Sequence, residues 1–415
     1  MNRDLLKSRL GKLPQLPPLA CEDDEDAEEL LDSFPTEASA VASSSTRPRR
    51  RDRARRQDLS PLSAEGWFEQ ALAVDVPVSD VYASEHSEST ATATFRVYYT
   101  APSASNLSSA RDLDDDGDGD GTNSNGVVFV CVHGAGYSGL SYACAAKSLV
   151  ERGRGRIGVL SYDARGHGKT KLPSPLKQGE QTSMDLGAMA SDLVNLLRTV
   201  FPSRANAPGL VLVGHSMGGA VVAEACNRIQ DSVADVLGVT VIDVVEGTAL
   251  EALSSMSALI SAQPKIFDSR EAAIGWHLDS RTINNVESAR ISVPSLVKPI
   301  AGATPEIADG GEGKYEWTVD LSKTEPYWKG WFTGLSSKFL GCRTAKLLIL
   351  AGTDRLDREL LIGQMQGKYQ LEVFPEAGHC LHEDLPDRTA ETLVNFWERN
   401  DRTDVLKGVK KVGDF

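Results

Sequence analysis

Residues 209–225, with the sequence GLVLVGHSMGGAVVAEA, constrain the fold of this chain more than any other stretch. Leu210 to Gly214 form an apolar, β-branched run that is typical of a strand buried on both faces. The run leads into Gly-His-Ser-Met-Gly, where Ser216 stands between Gly214 and Gly218, and an Ala- and Val-rich helical segment follows. A buried strand, a turn too tight for side chains beside the serine, and a helix together predict a raised, reactive Ser216 hydroxyl.

Further predicted strands alternate with predicted helices around this stretch. The strands are expected at 127–132, 157–162, 239–242, 346–351 and 371–374, and the helices at 142–151, 183–200 and 387–399. An earlier strand, Thr94 to Tyr99, alternates apolar and polar residues and is expected to pair antiparallel. Because alternating strands and helices build a mostly parallel, doubly wound sheet, the sequence predicts an α/β protein with the α/β-hydrolase fold.

Composition divides the chain into segments. Residues 1–60 contain an acidic run (Glu22–Glu29) and an arginine-rich run (Arg47–Arg56). Such charge blocks cannot form a core, so this segment is expected to be a largely disordered tail. Residues 61–402 are assigned to the hydrolase domain and 403–415 to a C-terminal tail.

About a hundred residues between two predicted strands show little strand signal. They contain helical segments at 250–260 and 269–278 and a group of aromatic residues. We assign about 248–343 to a helical cap inserted over the carboxyl edge of the sheet, where caps commonly shape the substrate pocket.

Charge, the length of apolar stretches and cysteine content argue against several classes of protein. The formal net charge of −14 argues against a protein that wraps nucleic acid. No stretch approaches the ~18–20 apolar residues of a membrane helix, and the N-terminal segment is not typical of a secretory signal. The six cysteines have no paired spacing and several lie in apolar runs, so reduced thiols and a cytoplasmic or nuclear location are expected.

An Asp-rich segment resembles the beginning of a calcium-binding loop. Asp112, Asp114, Asp116 and Gly117 occupy the first, third, fifth and sixth positions of such a loop. The twelfth position is Asn123 instead of a bidentate glutamate, so a hairpin loop is the favoured interpretation. No metal or cofactor is expected for the chemistry.

A serine nucleophile requires a base, and histidine is the usual one. In this fold the order along the chain is serine, acid, histidine, and only His277, His379 and His382 follow Ser216. His379 follows the last predicted strand and a glycine that lets the loop turn, so it is the favoured base, with His382 second. His215 is expected to point away from the site and pack beside the sheet.

The residues alone leave the acid of the triad open. Asp354 and Asp357 follow the penultimate strand, the commonest position for this carboxylate. Asp243 follows the strand after the serine and emerges from an apolar run, where an unpaired charge is costly. The amides of Met217 and of Ala135, the latter in His-Gly-Ala-Gly after the first parallel strand, are expected to form the oxyanion hole.

Several motifs are more specific than those of a general hydrolase. VIDVVEGTALEAL, ESARISVPSLV, LLILAGTDRLD and LIGQMQGKYQLEVFPEAGHCLHEDLPD, with VGHSMGGAV and the opening SRLGKLPQLPPL, closely resemble the protein phosphatase methylesterase family. The resemblance covers most of residues 60–400. It implies a triad of Ser216, Asp243 and His379, and so selects Asp243 as the acid.

The resemblance also implies a substrate. Members of this family remove the methyl ester from the C-terminal leucine of the type 2A protein phosphatase catalytic subunit, which would be the partner of this chain. The alternatives are a generic carboxylesterase or thioesterase with the same triad, and a non-catalytic protein that sequesters phosphatase. A dehalogenase or epoxide hydrolase is excluded because Ser216 stands where those enzymes require aspartate.

Overall fold

A computed structural model describes residues 58–79, 81, 91–103, 126–174, 181–300, 314–352 and 356–401. The predicted calcium-like loop, Asp354, the C-terminal tail and nearly all of the predicted N-terminal tail lie outside these residues. Within the described ranges, no helix combines the length and apolar character needed to span a bilayer.

The strands of the described residues form two sheets. In chain order they are β1 (Gln70–Val78), β2 (Ala91–Thr100), β3 (Val127–Val132), β4 (Ile157–Tyr162), β5 (Gly209–His215), β6 (Val236–Ile242), β7 (Ile266–Phe267), β8 (Val297–Pro299), β9 (Tyr315–Trp317), β10 (Ala345–Leu350) and β11 (Gln370–Val373). The large sheet has the order β1-β2-β4-β3-β5-β6-β10-β11, and the small one has the order β7-β9-β8. In the large sheet β2 pairs antiparallel with β1 and β4, and the remaining neighbours are parallel. The predicted doubly wound, mostly parallel sheet is confirmed.

Helices cover both faces of the large sheet. In chain order the helices are α1 (Ala143–Gly153), α2 (Leu186–Val200), α3 (Met217–Ser232), α4 (Glu246–Ala262), α5 (Arg270–Asp279), α6 (Val286–Ser292), α7 (Glu325–Phe332), α8 (Leu335–Leu340), α9 (Arg358–Met365), α10 (Leu381–Asp384) and α11 (Pro386–Asn400). The apolar stripe of α2 packs with α3 in the core on one face, and the apolar residues of α1 and α11 pack in the core on the other.

The central strands are buried on both faces, and successive residues supply the two cores in turn. On β3, Val130 packs in the core that contains α2 and α3, whereas Phe129 and Cys131 pack in the core that contains α1 and α11. All six residues of β3 are buried. This period of two explains why a continuous apolar run, without polar alternation, predicts a central strand.

Two glycines make the turn between β5 and α3 possible. A Cβ on Gly214 would collide with the backbone carbonyl of Gly218, and a Cβ on Gly218 would collide with the Val132 carbonyl oxygen on the neighbouring strand. Both obstacles are backbone atoms that cannot rotate away. The steric requirement inferred from the sequence is therefore present in the structure.

Gly218→Ala is expected to destabilise the fold, because the added methyl group forces α3 away from β3. We expect a loss of about 3 kcal/mol in the free energy of unfolding, the upper part of the usual range for overpacking a core. Urea denaturation followed by circular dichroism measures this loss. Gly330→Ala is the control, since nothing lies within 4 Å of a Cβ at that position. Equal stability of the two variants would contradict the prediction.

Two local details differ from the sequence prediction. The helix expected at 183–200 begins only at Leu186, because Asp185 caps it: its Oδ1 accepts hydrogen bonds from the amides of Gly187 and Ala188. The segment between β6 and β10 contains the small sheet β7-β9-β8 in addition to helices. Its strands are two or three residues long, too short to give a periodic signal.

Candidate active site

The loops after β5, β6, β10 and β11 meet at one edge of the large sheet, the carboxyl edge of its parallel strands. Backbone hydrogen bonds continue the ladder past the strand ends: the Ser216 amide donates to the Ile242 carbonyl at 2.9 Å, and the Asp243 amide donates to the Ile349 carbonyl at 2.7 Å. The predicted nucleophile and one of the predicted acids therefore begin neighbouring loops. Ligand sites of open α/β sheets lie at this edge.

Ser216 has a backbone conformation that residues other than glycine rarely adopt. Its φ is 51° and its ψ is −119°, at the junction between β5 and α3. Strain of this kind costs of order 1–3 kcal/mol and persists where the surrounding structure enforces it, typically at functional sites. Here the glycines on either side and the pairing of β5 with β3 and β6 enforce it.

His379 and Asp243 form a hydrogen-bonded pair. The Nδ1 of His379 lies 2.7 Å from Oδ2 of Asp243, while Oδ1 of Asp243 accepts the Ala351 amide at 2.7 Å. A carboxylate accepts hydrogen bonds, so Nδ1 carries the proton and Nε2 of the neutral ring keeps its lone pair. The Asp243 side chain is 10% exposed and the His379 side chain 52%. The pair thus presents a ring nitrogen with a lone pair, supported by a largely buried carboxylate.

His215 connects the nucleophile to the loop that carries His379. Its Nε2 donates to the His379 carbonyl oxygen at 2.9 Å, and the two ring centroids are 4.6 Å apart. Since His215 directly precedes Ser216, this bond places the histidine loop beside the serine. His215 is fully buried, as predicted, but the prediction that it points away from the site is wrong, because its ring packs against that of His379.

The loop after β3 also approaches the serine. A Cβ on Gly134 would lie 3.3 Å from the Ser216 Cβ and 2.8 Å from Nδ1 of His215, so only glycine fits without displacing the ring. Ala135, the next residue, is partly buried. Met217 begins α3, and its amide has no acceptor within its own helix.

The His133 side chain fixes the peptide that links Gly134 to Ala135. The Ala164 amide donates to its Nε2 at 3.0 Å, so Nδ1 carries the proton and donates to the Gly134 carbonyl at 2.7 Å. In a trans peptide the amide points opposite to the carbonyl. Because His133 holds the carbonyl, the Ala135 amide is directed away from His133.

The remaining acids and histidines from the sequence have other contacts. Asp357 caps α9 through the Leu360 amide and accepts a hydrogen bond from the Ser336 hydroxyl.

The two other candidate histidines are buried. His382 is fully buried between the rings of Tyr142 and His215. His277 lies on α5, where its ring is buried and its Nδ1 donates a hydrogen bond to the Ala273 carbonyl. Of the alternatives that the structure describes, these three have their side chains occupied by packing or by structural hydrogen bonds.

Comparison with known proteins gives the family. The model of the alpha/beta hydrolase family matches residues 129–392. Protein phosphatase methylesterase 1 of Cryptococcus neoformans is 41% identical over 412 residues, which cover 96% of this chain and 93% of the relative. The chain belongs to the protein phosphatase methylesterase family. The enzyme of the same name from Emericella nidulans is 39% identical over 412 residues, with 97% and 89% covered.

Solved structures support the fold of this family member. The peroxisomal alpha-beta-hydrolase Lpx1 of Saccharomyces cerevisiae superposes with a TM-score of 0.55 at 15% identity, covering 80% of this chain and 88% of Lpx1. E-2-(acetamidomethylene)succinate hydrolase superposes with a TM-score of 0.54 at 18% identity, covering 79% and 100%. At these identities the likeness concerns the fold alone, which is the one that the sequence predicts.

Buried histidines give this methylesterase-family chain a specific pH dependence of stability. Burial lowers the pKa of His277 to about 4 from an ordinary value of 6.5. In the unfolded chain this histidine takes up a proton below pH 6.5, whereas the folded protein takes it up only near pH 4. The free energy of unfolding therefore falls as the pH falls from 6.5 to 4.

His277→Asn isolates this contribution. Relative to the variant, the wild-type protein is expected to lose about 1.4 kcal/mol of stability for each pH unit between 6.5 and 4. Urea titrations of both proteins at intervals of pH measure the difference, from which the titrations of all other groups cancel. A difference that does not change with pH would show that His277 titrates normally in the folded state.

Proposed function

We propose that this chain is a serine carboxylesterase that removes the methyl ester from the C-terminal leucine of the type 2A protein phosphatase catalytic subunit. The observation that carries the proposal is the hydrogen bond between His379 and Asp243. The loop of His379 is in turn bonded to His215, the residue directly before Ser216. The names of the curated relatives supply the substrate. Its place of action is the cytoplasm, the nucleus or both.

In the first half of the reaction, Nε2 of His379 accepts the proton of Ser216 while Oγ attacks the ester carbonyl. Negative charge develops on the carbonyl oxygen, and the amides of Met217 and Ala135 stabilise it. Asp243 holds the imidazole and stabilises its positive charge. The intermediate then collapses: the bond to the methoxy group breaks, and His379 donates its proton to release methanol.

In the second half, water hydrolyses the ester that joins the leucine carboxyl group to Ser216. His379 removes a proton from the water, the same amides stabilise the second oxyanion, and the proton returns to Ser216. The product is a C-terminal carboxylate. A methyl ester is uncharged and loses little hydration on binding, whereas the carboxylate is costly to desolvate, which favours product release.

Mass spectrometry of the phosphatase C-terminus tests the proposal. The purified, methylated catalytic subunit is incubated with the full-length protein, and loss of the methyl group from the terminal leucine is followed with time. Parallel assays use a p-nitrophenyl ester and an acyl thioester. We expect a much higher kcat/KM for the methylated phosphatase than for either small substrate. Faster turnover of a small ester or thioester, with no demethylation, would instead support a generic hydrolase.

A further inference from the structure

The loop that carries His379 is attached to the segment between α5 and α6, which belongs to the predicted cap. The attachment is made by Asp384, the last residue of α10, which is 8% exposed. Its Oδ1 accepts the backbone amide of Asn284 at 2.7 Å. Its Oδ2 accepts the Gly378 amide at 2.7 Å and the Asn284 side-chain amide at 2.8 Å. One carboxylate therefore joins the catalytic loop to the segment between α5 and α6.

Gly378 packs closely against this segment. A Cβ on Gly378 would lie 3.2 Å from Oδ2 of Asp384, 3.3 Å from Nδ2 of Asn284 and 3.6 Å from the Arg281 carbonyl oxygen. Gly378 directly precedes His379, so the hydrogen bond to its amide fixes the backbone immediately before the catalytic histidine. The bond from His215 to the His379 carbonyl fixes the backbone immediately after it.

The segment on the other side of this joint is itself well ordered by local contacts. The Ile283 amide donates to the His277 carbonyl at the end of α5. The side chain of Asn285 caps α6 by accepting the Ser288 amide. The Ser288 hydroxyl in turn donates to the Glu383 carbonyl at 2.7 Å, which makes a second link to α10. The Asp384 carboxylate thus transmits the position of this segment to the loop of His379.

We infer that Asp384 is a positioning residue, which sets the place of the His379 imidazole relative to Ser216 through the joint with Asn284 and Gly378. The inference rests on the proposed catalytic role of His379. The joint requires a carboxylate at position 384, because three N–H groups donate hydrogen bonds to its two oxygens. In Asp384→Asn one oxygen becomes an NH2 group that must face at least one of those donors, so the joint opens.

Asp384→Asn is expected to lower kcat about 100-fold with little change in KM, as for a displacement of about 1 Å in a catalytic group. The control is Asp387→Asn, which makes the same charge change three residues away at an exposed position whose carboxylate accepts the Ser148 hydroxyl. Hydrolysis of a p-nitrophenyl ester is the assay, since it does not depend on the phosphatase. Equal kcat values in the two folded variants would overturn the inference.

A proton NMR signal distinguishes positioning from general loss of structure. The proton between Nδ1 of His379 and Asp243 should resonate at low field in the wild type and in Asp387→Asn, and should be lost or broadened in Asp384→Asn. Asn284→Ala keeps the carboxylate and removes one donor, so it tests the joint if Asp384→Asn fails to fold. We expect a smaller fall in kcat for Asn284→Ala, and no further fall when it is added to Asp384→Asn. Additive losses would contradict a shared joint.

The inference and the proposed function fail in different ways. If wild type hydrolyses the small ester but leaves the methylated phosphatase unchanged, the substrate is wrong, and the Asp384 test is unaffected. If wild type demethylates the phosphatase and Asp384→Asn does so equally fast, the positioning role alone is excluded.

Discussion

Ser216→Ala is expected to lower kcat for ester hydrolysis about a million-fold, to the residual rate that binding and the oxyanion donors give without a nucleophile. The change removes one oxygen atom from a turn whose shape is enforced by Gly214 and Gly218, so the fold is expected to persist. The measurement is demethylation of the phosphatase in single-turnover conditions, with the covalent labelling of Ser216 by a fluorophosphonate as an independent readout.

Binding of the phosphatase supplies the control for this variant. Ser216→Ala keeps the surface of the protein, so its affinity for the methylated catalytic subunit should equal that of the wild type in calorimetry. Demethylation by a folded, binding-competent Ser216→Ala protein would exclude Ser216 as the nucleophile. Unchanged binding together with lost turnover would also show that sequestration of phosphatase and catalysis are separable properties of the chain.

Asp243→Asn is expected to lower kcat about ten-thousand-fold, because it changes which nitrogen of His379 carries the proton. The Ala351 amide donates to one oxygen of Asp243, so in the variant the amide oxygen remains there. The new NH2 group then faces Nδ1 of His379 and requires it to accept a hydrogen bond. The proton moves to Nε2, and the imidazole loses the lone pair that deprotonates Ser216.

Asp357→Asn is the matched control for this prediction. It makes the same change of charge at another acid that the sequence offers, but the Asp357 carboxylate caps α9 instead of contacting a histidine. We expect it to keep its kcat and to lose little stability, because Asn is about as good an N-cap as Asp. Were Asp357→Asn inactive and Asp243→Asn active, the acid of the triad would have been assigned incorrectly.

The sequence predicts the nucleophile and the base more directly than the acid. Ser216 is fixed by glycines and a buried strand next to it, and His379 by its place after the last strand. For the acid, local sequence offers Asp243, Asp354 and Asp357, each following a strand. The choice depends on which carboxylate the fold directs towards His379, a property of strand order and not of sequence neighbours. A family resemblance selected Asp243, and the structure places it in hydrogen-bond contact with His379.

Contacts between distant residues account for what the sequence did not predict. The bond from His215 to the His379 carbonyl joins residues 164 positions apart. From the motif around Ser216 the neighbouring ring was expected to point away from the site, because the sequence does not show that the loop of His379 packs against it. The Asp384 joint and the short strands of the small sheet are also products of tertiary packing. In contrast, most of the long strands and helices were predictable because their apolar residues repeat with the period of each element. The exception among the long strands is β1 (Gln70–Val78), most of whose residues are exposed and which was not predicted.

The exposure of His379 has a consequence for the size of the molecules that such a site can serve. In hydrolases that enclose their base at the end of a narrow tunnel, only slender compounds reach it. Here half of the imidazole is open to solvent while its carboxylate partner stays covered. An exposed base is the steric condition that a substrate carried on the end of another folded polypeptide requires.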